Sequence, residues 1–475
     1  MRFSGVCLFY FFCLVSPLVA NDLSNSRPNI ILVMTDDQGY GDLACHGHPF
    51  VKTPNLDVLY KQSTRFTDFH ASPTCAPTRA ALMSGRDAFK NGVTHTIYER
   101  ERMTLKATTV AQVLKGAGYT TGIFGKWHLG DDDEYQPNRR GFDEMFIHGA
   151  GGIGQNFPGT QGAFPGTSYF DPFIKHNDKV VKTKGYCTDV FFKQALGWMK
   201  KQKDKPFFAY ISTNAPHGPF IVADKYKDIY KDQKIKEKSR AFYGMITNFD
   251  ENMGLLMNKL DEWKLADNTL LIFMTDNGTS AGTWNYRMKG IKNTVNEGGA
   301  RVPLFMRLPG KIKAGVDVDK LTRHFDIFPT LAEFAGISIS EDLDLDGRSM
   351  VALLENVNAK WPDRKLFFHK GRWPKGTLDP EGFKYKNFAV RSEKWRLVGD
   401  KLYNIDKDPG ERKNVSKQYP EVVAEMMKAY DAWWSGVRPM MVNEGAPLDT
   451  GKPYIELFDK QKETIGIPNW DEPEL

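Results

Sequence analysis

The chain has 475 residues, of which 41% are hydrophobic, 26% charged and 13% aromatic, a globular balance that excludes a collagenous, low-complexity or wholly disordered chain. Its 64 Lys and Arg against 58 Asp and Glu leave a formal charge of +6. That excess is modest and dispersed: it suits an anionic substrate and gives no ground for nucleic-acid binding.

Arg2, an apolar run at 6–15, and Pro17-Leu18-Val19-Ala20 before Asn21-Asp22 read as a secretory signal removed after residue 20. The run is shorter than the roughly 20 residues a membrane span needs. The expectation is an exported protein, in the periplasm or the medium, without stable membrane insertion. Cys7 and Cys13 leave with the signal, and Cys45, Cys75 and Cys187 remain. An odd number without a C-x-x-C pair argues against a disulfide framework or a structural zinc site.

Apolar runs at 29–35, 120–124, 206–213 and 269–275 read as buried strands. Each leads into polar residues: Asp36-Asp37, Lys126-Trp127-His128, Asn214 to His217, and Asp276-Asn277-Gly278. Between them lie helical segments. One opens at Thr53-Pro54, with an N-cap and a proline in the first turn; another spans 108–115 and closes at Gly116 or Gly118. This alternation predicts an α/β fold with a large, mostly parallel sheet sandwiched by helices. Ligands of such sheets bind at the carboxyl ends of the strands, where these polar clusters fall.

Gly149-Ala-Gly-Gly-Ile-Gly154 matches G-x-G-x-x-G, but no helix opens after it, so 149–166 reads as a rim loop rather than a dinucleotide site. The lysine-rich 225–240 reads as a solvated helix face. From 366 onward short alternating segments, a turn at 408–410 and a helical 420–434 predict a small antiparallel sheet plus helix. The proline-rich tail after 436 is expected to wrap the surface or stay partly loose. The division is therefore 1–20 signal, 21–365 catalytic α/β domain, and 366–475 C-terminal α+β subdomain with tail.

Chemistry concentrates around Ser72-Pro-Thr-Cys75-Ala-Pro77-Thr-Arg79, continuing to Leu82-Met-Ser-Gly85-Arg86. A cysteine at a helix start has its thiol pKa lowered, and Arg79 lies one turn further on the same face. Asp36, Asp37, Asp276 and Asn277 are hard oxygen donors at strand ends. Three carboxylates and an amide, with no histidine or thiolate, suit Ca²⁺ or Mg²⁺ better than zinc.

The C-x-P-x-R stretch resembles the signature of the type I sulfatases of the alkaline phosphatase superfamily. The resemblance extends through Asp36-Asp37-Gln-Gly-Tyr-Gly, Gly125-Lys126-Trp-His128-Leu-Gly130, Pro216-His217-Gly-Pro219, Thr275-Asp276-Asn277-Gly278 and Glu297-Gly-Gly-Ala-Arg301 to Leu402-Tyr403-Asn404. It covers almost the whole mature chain and is similar to secreted, arylsulfatase-like polysaccharide sulfatases. It implies an alkaline phosphatase-like fold, calcium at the four oxygen donors, and Cys75 oxidised to formylglycine (3-oxoalanine) by a separate maturation enzyme. In the implied cycle one hydroxyl of the formylglycine hydrate attacks sulfur and the alcohol leaves. Deprotonation of the second hydroxyl then expels sulfate.

Roles follow from the same resemblance. Arg79 holds the modified residue, Lys126 bridges it and the sulfate, and His128 is the base on the second hydroxyl. His217 and Lys292 grip the sulfate and protonate the leaving oxygen, with Lys289 as the competing lysine. His95, Trp284 and His324 lie near motif segments and are further candidates for substrate contact. The other histidines read as core or surface. The implied partner is a sulfated glycan. Alternatives are a phosphate or phosphonate ester hydrolase of the same superfamily, a small aryl sulfate hydrolase, a non-catalytic glycan-binding protein, and a thiol hydrolase using Cys75.

Overall fold

The computed structural model describes residues 23–202, 205–281, 284–446 and 451–475. The expected signal at 1–20, with Cys7 and Cys13, lies outside them. Among the described residues no helix is long and apolar enough to cross a membrane.

A ten-stranded sheet forms the centre of the fold. Its five middle strands are parallel, in the order Thr269–Thr275, Asn29–Thr35, Phe207–Ser212, Thr120–Lys126 and Glu144–His148. Asn29–Thr35 is buried at every position, which explains its unbroken apolar sequence: a strand covered on both faces needs no polar alternation. Ile30, Leu32 and Met34 enter one core and Ile31 and Val33 the other, as side chains alternate across a strand. The first core is shared with helices Cys75–Ser84, Val110–Gly116 and Ile327–Phe334, the second with Cys187–Lys200 and Glu237–Glu262. The expected helix-covered, mostly parallel sheet is thus observed.

Register decides where the strands deliver their ends. Thr35 pairs with Thr275, Met34 with Ser212, and Gly125 with Ser212. Residues 36, 126, 213 and 276 therefore emerge side by side on one edge.

A separate antiparallel sheet is built from Leu366–His369, Phe388–Arg391, Trp395–Val398 and Lys401–Asn404, against which helix Pro420–Val437 packs through Tyr430 and Trp434.

Three local expectations are corrected. Thr53 stands at the N-cap of helix Pro54–Gln62 without capping it: its hydroxyl donates to Asp57 at 3.2 Å and accepts from the Ala44 amide at 3.0 Å. The lysine-rich stretch is no single helix face. It breaks into Asp224–Lys227, a short turn at Asp228–Tyr230, and the start of Glu237–Glu262, with Tyr226 and Tyr230 buried between exposed lysines. Among the described residues of the tail, Pro453–Thr464 is a helix whose Tyr454 and Phe458 enter the main core, so this part packs into the fold rather than staying loose. Its Gln461 side chain both accepts from and donates to the backbone of Val180 at 2.8 Å, fastening the tail to the outermost strand. Proline at the first helical position, where no hydrogen bond is lost, opens this helix rather than breaking one.

Candidate active site

The edge of strand ends is shaped by backbone that few residues tolerate. Asp37 and His128 both adopt left-handed φ, 68° and 61°. Such strain in non-glycine residues concentrates at functional sites. Gly125, with φ of 115°, lies so close to the Ser212 carbonyl that a Cβ would stand 2.0 Å from that oxygen. Only glycine lets the strand turn there and aim Lys126 inward.

Cys75 is the first residue of helix Cys75–Ser84 and is buried. One donor atom each from Cys75, Asp36 and Asp276 lie within 4.8 Å of one another, and Asp36, Asp37 and His217 form a second such group. Burial raises the Cys75 thiol, but the ammonium groups of Lys126 and Lys292 outweigh it and hold the thiol below its usual range. Burial instead pushes Cys45 and Cys187 upward. The three cysteines carry no disulfide among the described residues.

Cations and carboxylates interlock around Cys75. Lys126 Nζ lies 2.6 Å from Asp36 Oδ2, and Lys292 Nζ lies 2.6 Å from Asp37 Oδ2. Arg79 donates to Asp276 Oδ2 at 3.0 Å, to the Lys126 carbonyl at 3.2 Å, and to the hydroxyl of Ser212. Asp276 Oδ1 accepts the Asp37 amide at 3.0 Å, and Asn277 Nδ2 donates to Asp37 Oδ1 at 3.0 Å. Burial works to raise Asp36, but Lys126, His217 and Arg79 hold it well below the carboxylate range. Asp276 is pushed up by burial and by the charge of Asp36. Asp36 Oδ1 and Asn277 Oδ1 are buried without a hydrogen-bond partner. Two orphaned hard oxygens within this acidic group fit a hard cation.

The histidines are held by main-chain carbonyls. His128 Nε2 lies 2.8 Å from the Thr96 carbonyl, leaving Nδ1 buried and unpartnered. Burial, then Lys126, lowers His128 well below its usual range. His217 Nδ1 lies 2.6 Å from the Gly218 carbonyl, and its Nε2 is 3.8 Å from Asp37. The glycine-rich loop closes on this arrangement: a Cβ on Gly151 would stand 2.7 Å from His128 Nε2. Residues 149–153 thus wall the site, while Gly154 and 156–158 are exposed as a rim loop's residues would be.

All ten expected site residues converge on this edge. Lys289 does not: its Nζ lies 3.4 Å from Tyr403 OH. His324 is fully buried, its Nε2 3.2 Å from Ser72 Oγ. His95 stays near His128, its Nδ1 accepting the amides of Thr96 and Ile97. Trp284 lines a groove further out. Thr96 and Ser212 were not foreseen. Thr96 contributes only its carbonyl to His128, which any residue could supply, and Ser212 is an ordinary strand residue until Arg79 reaches it.

The sequence matches the sulfatase family model over residues 28–337 and the model of the C-terminal region of N-sulphoglucosamine sulphohydrolase over 291–433. N-acetylgalactosamine-6-sulfatase of Canis lupus familiaris is 26% identical over 94% of this chain and 90% of that protein. Arylsulfatase A of Homo sapiens is 30% identical over 85% of this chain and 86% of that protein. Among solved structures, Ps i-CgsB in complex with k-i-k-neocarrahexaose superposes with a TM-score of 0.79 at 30% identity, covering 89% of this chain and 98% of that one.

Proposed function

This chain belongs to the sulfatase family and is a sulfuric ester hydrolase, and we propose that it frees sulfate from a sulfated polysaccharide or oligosaccharide using formylglycine at Cys75 and one Ca²⁺ at Asp36, Asp37, Asp276 and Asn277. The observation that carries this reading is the meeting of Cys75 with Asp36 and Asp276 inside 4.8 Å, at the point where Lys126 and Lys292 converge. The orphaned oxygens of Asp36 and Asn277 support the cation. Calcium bound there supplies positive charge that neutralises sulfate oxygens and polarises sulfur.

The chain's own groups do the rest. Arg79, anchored on Asp276 and Ser212, fixes the helix start and stabilises negative charge on residue 75. Lys126 and Lys292 offset the sulfate charge that otherwise repels a nucleophile. His217, with Nε2 directed toward Asp37, and Lys292 protonate the departing alcohol oxygen. His128 receives the proton of the second hydroxyl at Nδ1, the nitrogen that Thr96 leaves free. A carbohydrate substrate is favoured because Ps i-CgsB, 30% identical to this chain, is seen with k-i-k-neocarrahexaose. Export with loss of 1–20 completes the reading, and N-terminal sequencing of the mature protein should begin at Asn21.

Two measurements test the proposal: the mass of the peptide spanning Cys75, and sulfate release from polysaccharides and their short fragments with calcium present. An aldehyde with sulfate release supports it. Release from polymer indicates action within chains, whereas release only from fragments indicates action at chain ends. An unmodified thiol in a protein that releases sulfate overturns the formylglycine assignment. An aldehyde-bearing protein that cleaves only phosphate or phosphonate esters overturns the substrate.

A further inference from the structure

The segment that brings Lys292 to Asp37 also walls a second groove, open to solvent and about 490 Å³ in volume, within the range of ligand sites. Trp284, Tyr286, Arg287 and Arg301 line it together with Lys407 and Arg412 from the C-terminal part of the chain. Arg301 is engaged: it donates to the Thr67 carbonyl at 2.7 Å, lies 3.9 Å from Glu297, and sits 4.9 Å over the Tyr40 ring. Arg287, Lys407 and Arg412 have no acidic partner among the described residues. The one carboxylate in the lining, Asp408, accepts the amides of Arg412 and Lys413 at 2.7 Å each and is tied to its own turn.

The groove adjoins the catalytic edge. Tyr40, three residues beyond Asp37, packs edge-on against Tyr286 at 5.1 Å. A Cβ on Gly41 would stand 2.9 Å from the Trp284 ring, so the loop carrying Asp36 and Asp37 forms the back of the groove wall. With Asp408 the single carboxylate in the lining against Arg287, Arg301, Lys407 and Arg412, the groove keeps a net positive charge, and an anion seated in it offsets the repulsion among those cations. Guanidinium forks match planar or tetrahedral oxyanions, and exposed aromatic faces suit the C–H face of a sugar ring.

We infer that this groove binds a second anionic group of the substrate, a sulfate ester or carboxylate on a sugar ring neighbouring the one that is desulfated. The inference rests on the sulfatase reading and adds that the enzyme selects multiply charged glycan over singly sulfated molecules.

The test compares the matured enzyme with Arg287→Ala/Arg412→Ala on three oligosaccharides of one backbone. These carry the target sulfate alone, with a second sulfate, or with a uronate. The native enzyme is expected to prefer a doubly charged substrate in kcat/KM by roughly tenfold or more, as charge-assisted contacts would give. The preference should shrink in high salt, and the double variant should bring the ratio toward one. The substrate that shows the effect assigns sulfate or carboxylate. Lys407→Glu, at an exposed position, provides a second variant should the first fold poorly. A ratio unchanged in both variants overturns the inference. Calorimetric binding of the same oligosaccharides to Cys75→Ala protein reads the groove without turnover. If nothing is hydrolysed but the groove variants still weaken that binding, the sulfatase reading fails and the groove stands. If hydrolysis proceeds with ratio and binding unmoved, the groove fails alone.

Discussion

The Nε2 atom of His128 lies 2.8 Å from the carbonyl oxygen of Thr96, and that contact decides which imidazole nitrogen can accept a proton. A carbonyl only accepts, so Nε2 carries the hydrogen and the buried, unpartnered Nδ1 holds the lone pair. With burial and Lys126 keeping the ring neutral, Nδ1 holds a free lone pair at ordinary pH and is the nitrogen available to accept a proton. Replacing it by His128→Gln should lower kcat by about 10²–10⁴-fold with an unchanged thermal midpoint.

Arg372, from the C-terminal part of the chain, donates to the Thr96 hydroxyl and so steadies the residue whose carbonyl orients His128. Arg372→Ala should lower kcat more than it raises KM, and Arg372→Lys should restore part of the loss. A change confined to KM would place Arg372 on the substrate instead.

The unpartnered oxygens of Asp36 and Asn277 predict a cation that stabilises the fold as well as the reaction. Ligand present at 100 times its Kd contributes about 2.7 kcal/mol. A chelator should therefore lower the thermal midpoint, and added Ca²⁺ should restore it. Asn277→Ala should blunt both responses. A midpoint indifferent to chelator and to calcium would contradict the assignment.

Legibility in the sequence follows physical cause. Asn29–Thr35 is readable because burial on both faces forces an unbroken apolar run, and the polar residues after it because they stand at the ligand-binding edge. Cys75 and Arg79 are readable because one helical turn fixes their spacing. Thr96 is invisible because its contribution is a main-chain oxygen. Helix Pro453–Thr464 is missed because a proline opens helices and ends them alike. Lys289 and Lys292 differ little in local sequence; the fold separates them, one toward Tyr403 and one toward Asp37.

Glu297, in the short helix Glu297–Ala300, ties His70 to the four-stranded antiparallel sheet through a buried charge network. Its Oε1 receives Arg396 at 2.6 Å, Arg391 at 3.2 Å and His70 at 3.2 Å, with Arg391 reaching on to Asp68 at 3.0 Å. Burial would raise Glu297, but His70, Arg396 and Arg391 hold it well below the usual range. Arg396→Met leaves that carboxylate under-compensated and should cost about 3–5 kcal/mol in urea unfolding. Arg438 and Asp379 form a pair at 2.9 Å with Asp379 largely exposed, so Arg438→Met should leave the urea midpoint nearly unchanged.

Asp131 gives stability a pH dependence of the opposite sign to that of Glu297. Its side chain accepts the Ala150 amide at 2.9 Å, but burial raises its pKa from 3.8 to about 7. Between those values the unfolded chain has lost the proton that the folded chain still keeps, so folding stability falls as pH rises through that window and levels off above about pH 7. Each unit of the difference is worth about 1.4 kcal/mol. Asp131→Asn removes the titration and can still accept the Ala150 amide through its carbonyl. Urea unfolding of the two proteins across this range should show the native chain losing stability relative to Asp131→Asn between pH 4 and 7, and parallel curves above it. Parallel curves throughout would mean that Asp131 is already ionised in the folded protein.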